Sequence, residues 1–310
     1  MPIPERLSQN LKIPIIAAPM FLVSGTSLVI ASCHAGVIGT FPVLNARTTA
    51  LAGAWMQQIS DTVNPALHAA WGVNLVVHRS NTRLDADLAL IEDRRVPLVI
   101  TSIGDPTRVV SAVHSYGGVV FHDVTTVRHA RKAIAAGVDG LVLVCAGAGG
   151  NAGTINPFAF VSEIRAIWHG SIVLAGSLTN GRAFRAAEML GADLCYVGTR
   201  FIATEESLAA PAYKQMLIDS DASDILYTSS FSGISSSVLR PSIVASGLDP
   251  DSLPVHGTID LATHLDVDKR PWRNVWSAGH GVGSVTEILS VKDLITQLIG
   301  QYEAAAGAHE

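Results

Sequence analysis

Eight short apolar runs recur through the first 200 residues: Ile13–Ala17, Gly36–Thr40, Ala69–Val76, Pro97–Thr101, Gly118–Phe121, Gly140–Val144, Ser171–Leu174 and Leu194–Val197. Stretches of helical period separate them, among them Thr48–Ile59, Arg83–Glu92, Pro106–His114, Thr126–Ala136, Pro157–Trp168 and Gly181–Leu190. The runs do not alternate apolar with polar; they are apolar on both faces, as strands are when helices cover one side and a barrel core the other. Gly36, Gly117, Gly137 and Gly191 stand between a helical stretch and the next run, where a left-handed residue ends a helix. Eight such repeats predict a (β/α)8 TIM barrel, an α/β fold. An open doubly wound sheet fits less well, because no G-x-G-x-x-G follows the first strand.

After Gly198 the repeat stops. Residues 205–275 are richer in serine (Ser229, Ser230, Ser232, Ser235, Ser236, Ser237) and carry Pro211, Pro241, Pro250 and Pro254. They read as an inserted, mostly helical lid subdomain, and residues 1–204 and 276–310 as the barrel. The chain returns at Trp276–Ser284, closes with a helix over Val285–Leu298, and is expected to fray from Ala304 to Glu310.

The 21 Lys+Arg and 26 Asp+Glu make up 15% of the 310 residues, against about 25% in an average soluble domain. Hydrophobic residues at 48% exclude a disordered chain. A net charge of −5 excludes a nucleic-acid binder working through a basic surface. From residue 13 to 46 there is no charged side chain, yet Pro14, Pro19, Gly25, Gly36, Gly39 and Pro42 break this run, so it reads as strand, loop, helix and strand and not as a membrane span. Glu5, Arg6 and Lys12 leave no apolar leader core ahead of it. Cys33, Cys145 and Cys195 are too few and too far apart for a disulfide framework or zinc knuckle, which predicts a reducing, cytoplasmic setting. His68, His78, His114, His129, His169, His256 and His264 show no metal-ligand spacing, and no metal is expected. The low charge also leaves room for a homodimer.

A barrel carries its chemistry at the C-terminal ends of its strands. There lie Ala18, Pro19 and Met20 after the first run, Asn74 in the third, His122 and Asp123 after the fifth, Cys145–Gly153 after the sixth, Gly176 and Ser177 after the seventh, and Gly198 and Thr199 after the eighth. Two glycine turns with hydroxyl neighbours at strands seven and eight read as a phosphate cradle, the alternative being plain turns. The Gly/Ala-rich loop 145–153 either lets backbone approach a flat ligand or is a bare loop. The serine run 229–237 either lines a channel or is solvated. Cys145 has no base nearby in sequence and reads as a small buried residue.

At these residues the chain resembles the FMN-dependent nitronate monooxygenases, relatives of the FMN enoyl-acyl-carrier-protein reductases. The matching stretches are Ile15–Met20, Gly72–Asn74, Phe121–Val124, Ala146–Gly153 continuing into Pro157-Phe158, Gly191–Asp193 running through Gly198–Phe201 to Thr204–Ser207, and Trp276–Gly283. They span nearly the whole chain, in order. The resemblance implies FMN across the barrel mouth. Its phosphate would rest on Gly176, Ser177, Gly198 and Thr199. Ala18, Pro19 and Met20 would run beside the ring, Asn74 and His122 would lie at its polar parts, and Ala146, Gly149 and Gly150 would belong to the covering loop. It also implies a small-molecule substrate and O2 as partners, with no nucleic acid or membrane.

The family loop reads Gly-Gly-His-Ala-Gly, with the histidine as base or substrate-orienting group; here Asn151 stands in its place. Asparagine hydrogen-bonds but does not titrate, so it cannot take a proton from a neutral nitroalkane. Some relatives place a lysine after strand five where this chain has Asp123. A nitronate is already an anion, and its oxidation survives the loss of histidine, with Asn151 orienting the nitro group. Asn151 and His122 are therefore the expected catalytic residues, and His280 either replaces the histidine or is a polar loop residue. The alternatives are an NAD(P)H-dependent FMN reductase of an enoyl thioester or quinone, and a flavin-binding member without turnover.

Overall fold

The computed structural model describes residues 3–231, 233–253 and 274–306. Ser232, residues 254–273 with Pro254, His256 and His264, and the end of the expected frayed tail lie outside them.

Eight parallel strands close into a barrel in the order β1 (Ile15–Ala17), β2 (Ile38–Pro42), β3 (Trp71–Val76), β4 (Leu98–Ser102), β5 (Val119–Val124), β6 (Gly140–Val144), β8 (Ser171–Ala175) and β9 (Leu194–Val197). Every expected run holds a strand, and helices alternate with them. The four expected helix-ending glycines all have positive φ, Gly36 at 96° and Gly191 at 107° among them.

Side-chain alternation sorts the buried strand residues into two layers. Ile16, Ile38, Leu98, Ile100, Phe121, Val142, Val173 and Leu194 fill the barrel interior. Leu7, on a short helix Glu5–Ser8 that the sequence pattern did not suggest, packs with them beside Leu98 and Val119 at the strands' N-terminal ends. Ile15, Ala17, Val73, Val99, Val120 and Val124 face the helices instead. Each fully buried side chain of this size contributes about 2 kcal/mol, and this double-sided burial accounts for the scarcity of charge.

The closing helix runs over Val291–Ala306, later than expected. Ser290 Oγ accepts from the Asp293 N–H at 3.1 Å and so starts the helix there, while Leu289 bridges to Thr204. Val291, Leu294, Ile295 and Leu298 are its buried face, and Arg185 lies over the Tyr302 ring at 3.5 Å.

The segment expected to be mostly helical is mixed in its described part. It holds helices at Pro211–Ile218 and Arg240–Ala245 and two strands, β10 (Ile225–Thr228) and β11 (Ser236–Leu239). These form a three-stranded antiparallel sheet with β7 (Gly150–Asn151) from the loop after β6. The serine run thus supplies a strand, because small side chains let Ser236 and Ser237 be fully buried in the middle of that sheet.

Candidate active site

Backbone conformations that L residues avoid gather at the C-terminal ends of the strands. Leu22 (φ 60°) follows β1, Ile103 (φ 55°) follows β4 and Ser177 (φ 57°) follows β8. Such strain persists only where the surroundings enforce it, and it concentrates at functional sites. Asn45 is the enforcer at β1. Its Oδ1 accepts from the Leu22 N–H at 2.9 Å, and its Nδ2 donates to the carbonyls of Met20 (2.9 Å) and Ser24 (2.8 Å). Met20 also donates its N–H to Ser24 Oγ at 2.9 Å, so the Ala18–Met20 turn is held from two sides.

The loop after β6 is built without side-chain bulk. Gly176 has φ 131°, and a Cβ there would lie 2.9 Å from the Ala146 carbonyl oxygen. A Cβ on Gly149 would lie 2.8 Å from Gly279 N. His280 donates its N–H to the Gly147 carbonyl at 3.0 Å, and Gly279 donates to Thr199 Oγ1 at 3.0 Å. The return segment, the β6 loop and the turns after β8 and β9 therefore meet at one place. Ala148, Ala152 and Ala175 form a small apolar floor against Val144 and Tyr196. A Cβ on Gly198 would find its nearest neighbours in Met20 and Ala18, at 3.6 Å and 3.8 Å. Among the described residues nothing accepts from the backbone N–H groups of Ser177, Gly198 or Thr199. A cradle of free N–H groups beside a flat floor of alanines fits a phosphorylated planar cofactor such as FMN.

Asn151 sits on β7, paired with Ser236, with Gly150 paired to Ser237. It shares its sheet face with Ser236 and Thr228, and its side chain is exposed. Tyr227 secures this strand by donating its hydroxyl to the Ala152 carbonyl at 2.8 Å. His280 is exposed and stands beside Gly147 and the Ser177 hydroxyl. Asn74 points inward, where its Nδ2 donates to the Ile100 carbonyl (3.1 Å) and to Ser102 Oγ (3.2 Å).

His122 is not brought to this group. It alternates with Val120 and Val124, which pack on the helices, so its ring faces the outer layer. There Nδ1 lies 2.8 Å from Thr101 Oγ1. Burial, helped by His129 and opposed by Asp105, lowers its pKa to about 4. Strand pleating turns the His122 ring toward the helix layer, so the structure does not bring this expected site residue together with the others. The next residue, Asp123, turns inward with Phe121. Its Oδ1 is buried with no hydrogen-bond partner, and burial raises its pKa to about 7. Tyr196 Oη is likewise buried and unpartnered, and its ionisation is suppressed by burial and by Asp123. Because β5 is apolar on both faces, its sequence pattern could not say which of His122 and Asp123 points inward. Cys145 is buried and its thiol raised to about 12 by burial, an inert group. Among the described residues no cluster of His, Cys, Asp and Glu could hold a metal ion, and no helix is long and apolar enough to cross a membrane.

The profile of the nitronate monooxygenase family matches residues 44–301. A nitronate monooxygenase of Paraburkholderia phytofirmans is 26% identical over 290 residues, covering 80% of this chain and 79% of that one. A (3aS,4S,5R,7aS)-5-hydroxy-7a-methyl-1-oxo-octahydro-1H-indene-4-carboxyl-CoA dehydrogenase of Mycobacterium tuberculosis is 25% identical over 234 residues, covering 74% of this chain. The match spans 64% of that relative, less than two thirds of its length. The nitroalkane oxidase structure from Streptomyces ansochromogenes superposes with a TM-score of 0.82 at 22% identity, covering 99% of this chain and 100% of that one, a likeness of fold. With a profile match across most of its length, the chain belongs to the nitronate monooxygenase family.

Proposed function

We propose that this chain is an FMN-dependent nitronate monooxygenase that oxidises small alkyl nitronates with O2, using Asn151 where the family pattern has histidine. The observation that carries the reading is the placement of Asn151. Its backbone is clamped by Ser236 at the end of the small-residue loop, and its side chain remains exposed. Gly176, Ser177, Gly198 and Thr199 would hold the FMN phosphate. Ala18, Pro19 and Met20 would line one side of the cofactor, Asn74 would offer its free Oδ1, and Ala146, Gly149 and Gly150 would lie over it. Bound FMN would supply the redox chemistry between substrate and O2. The protein's part is to bind and orient. The Asn151 amide donates a hydrogen bond to a nitronate oxygen, and a substrate that is already an anion needs no proton removed. In this reading residues 205–275 are the substrate-facing subdomain on a barrel of residues 1–204 and 276–310.

A second reading, NAD(P)H-dependent reduction of an enoyl thioester, draws on the indene-carboxyl-CoA dehydrogenase among the relatives, whose printed substrate is a CoA thioester. Anaerobic mixing separates the two. Bleaching of the flavin by a nitronate and not by NAD(P)H supports the monooxygenase, and bleaching by NAD(P)H supports the reductase. A colourless protein that cannot be loaded with FMN overturns both.

A further inference from the structure

Among the described residues, two buried polar atoms inside the barrel, Asp123 Oδ1 and Tyr196 Oη, have no hydrogen-bond partner. Asp123 projects from β5 between Val142, its register partner on β6, and Ser102, which follows the Thr101 that pairs with His122. Tyr196 projects inward from β9, packed on Val144 and on the alanine floor. Native proteins satisfy nearly all buried polar groups, and a lone carboxylate oxygen in an apolar wall is costly unless a ligand or a reaction uses it. These two groups are in electrostatic contact, and Tyr196 packs on the cluster holding Ala152, the residue after Asn151, so a titratable function stands beneath a loop that itself has none.

The geometry points to Asp123 as the base that takes the α-proton of a neutral nitroalkane, supplying what Asn151 cannot. The substrate class rests on the monooxygenase reading. In the step, the α-carbon–hydrogen bond breaks and its electron pair delocalises into the nitro group, giving the nitronate. The proton forms an O–H bond on the Asp123 carboxylate and later leaves to water. No oxidant or reductant is consumed. Among the described residues, the groups flanking Asp123 from β4 and β6 are Ser102 and Val142, both uncharged, and Asn74 on β3 is held by Ser102. Tyr196 is the titratable group in electrostatic contact with it. His122, His129 and Asp105 lie on the other side of the wall. A carboxyl raised to about 7 by burial is matched to this task near neutral pH.

The test is α-proton exchange of nitroethane in D2O, followed by NMR under anaerobic conditions, with the full chain as wild type and as Asp123→Asn, each FMN-loaded and flavin-free. Exchange by the wild type should rise with pH through about 7 and fall about 100-fold in Asp123→Asn. Oxidation of a preformed nitronate, which needs no base, is followed in the wild type as the separate readout of the monooxygenase reading. A carboxylic-acid infrared band that titrates over the same range and is missing from Asp123→Asn checks the protonation directly. Unchanged exchange in Asp123→Asn, or a wild type without exchange or without the band, overturns the inference. A wild type that shows Asp123-dependent exchange but does not oxidise nitronates overturns the monooxygenase reading and leaves Asp123 as a base. One that oxidises nitronates with exchange independent of Asp123 does the reverse.

Discussion

The Leu22 N–H donates to the Asn45 side-chain carbonyl at 2.9 Å, and this bond holds a leucine at φ 60° beside the mouth of the barrel. Asn45 spends all its remaining donor capacity on the same turn, through Met20 and Ser24. Asn45→Ala removes three hydrogen bonds at a buried position and is expected to lower stability by about 3 kcal/mol, read from the urea midpoint. Asn45→Asp keeps the bond from Leu22 and loses both donors, so it should fall short of recovery. A midpoint unchanged in Asn45→Ala would show that the turn is held by other contacts.

His122 makes stability pH-dependent. Its folded pKa of about 4 lies below the ordinary imidazole value, so between pH 6.5 and 4 the unfolded chain binds a proton that the folded one refuses. Stability is therefore lost as pH falls through that window, by about 3 kcal/mol in all. His122→Gln should flatten this part of the curve. Its nitronate turnover should stay within about threefold of wild type, since the ring faces away from the mouth. A large loss of turnover with folding intact would return His122 to the site.

Gly176→Ala places a Cβ 2.9 Å from the Ala146 carbonyl at φ 131°, a backbone region that L side chains rarely adopt. The loop must shift, and the FMN Kd, measured by fluorescence quenching, should rise at least tenfold, about 1.4 kcal/mol. Wild-type affinity in this variant would place the phosphate elsewhere.

Asn151→His introduces a titrating group at the end of the β6 loop. Turnover of neutral nitroalkane should rise relative to nitronate, with a pH step near the ordinary imidazole value of about 6.5. Placed in the Asp123→Asn background, it should restore part of the lost proton exchange. No gain in either background would show that the position does not reach the substrate.

Tyr227→Phe removes the hydroxyl that ties β10 to the Ala152 carbonyl. It should cost about 1 kcal/mol and speed amide exchange at Gly150–Ala152, with the barrel strands unaffected. Equal protection in both proteins would mean that the pairing with Ser236 and Ser237 suffices.

The chain by itself determined the barrel. Eight runs apolar on both faces, punctuated by helix-ending glycines such as Gly36 and Gly191, allow few other closures, and the strands fall where those runs are. The small-residue loop and the turns at Gly176 and Gly198 were legible for the same reason: a missing side chain is visible in sequence wherever backbone must come close. What the tertiary structure alone decided was direction and partnership. His122 and Asp123 are neighbours on a strand buried on both sides, so period could not tell inside from outside. Pleating sends the histidine to the helix layer and the carboxylate to the barrel interior. Likewise a serine run could not announce that Ser236 would pair with Asn151, 85 residues earlier in the numbering. That pairing exists because β10 and β11 fold back onto the loop after β6, and long-range strand pairing leaves no local signature in either segment.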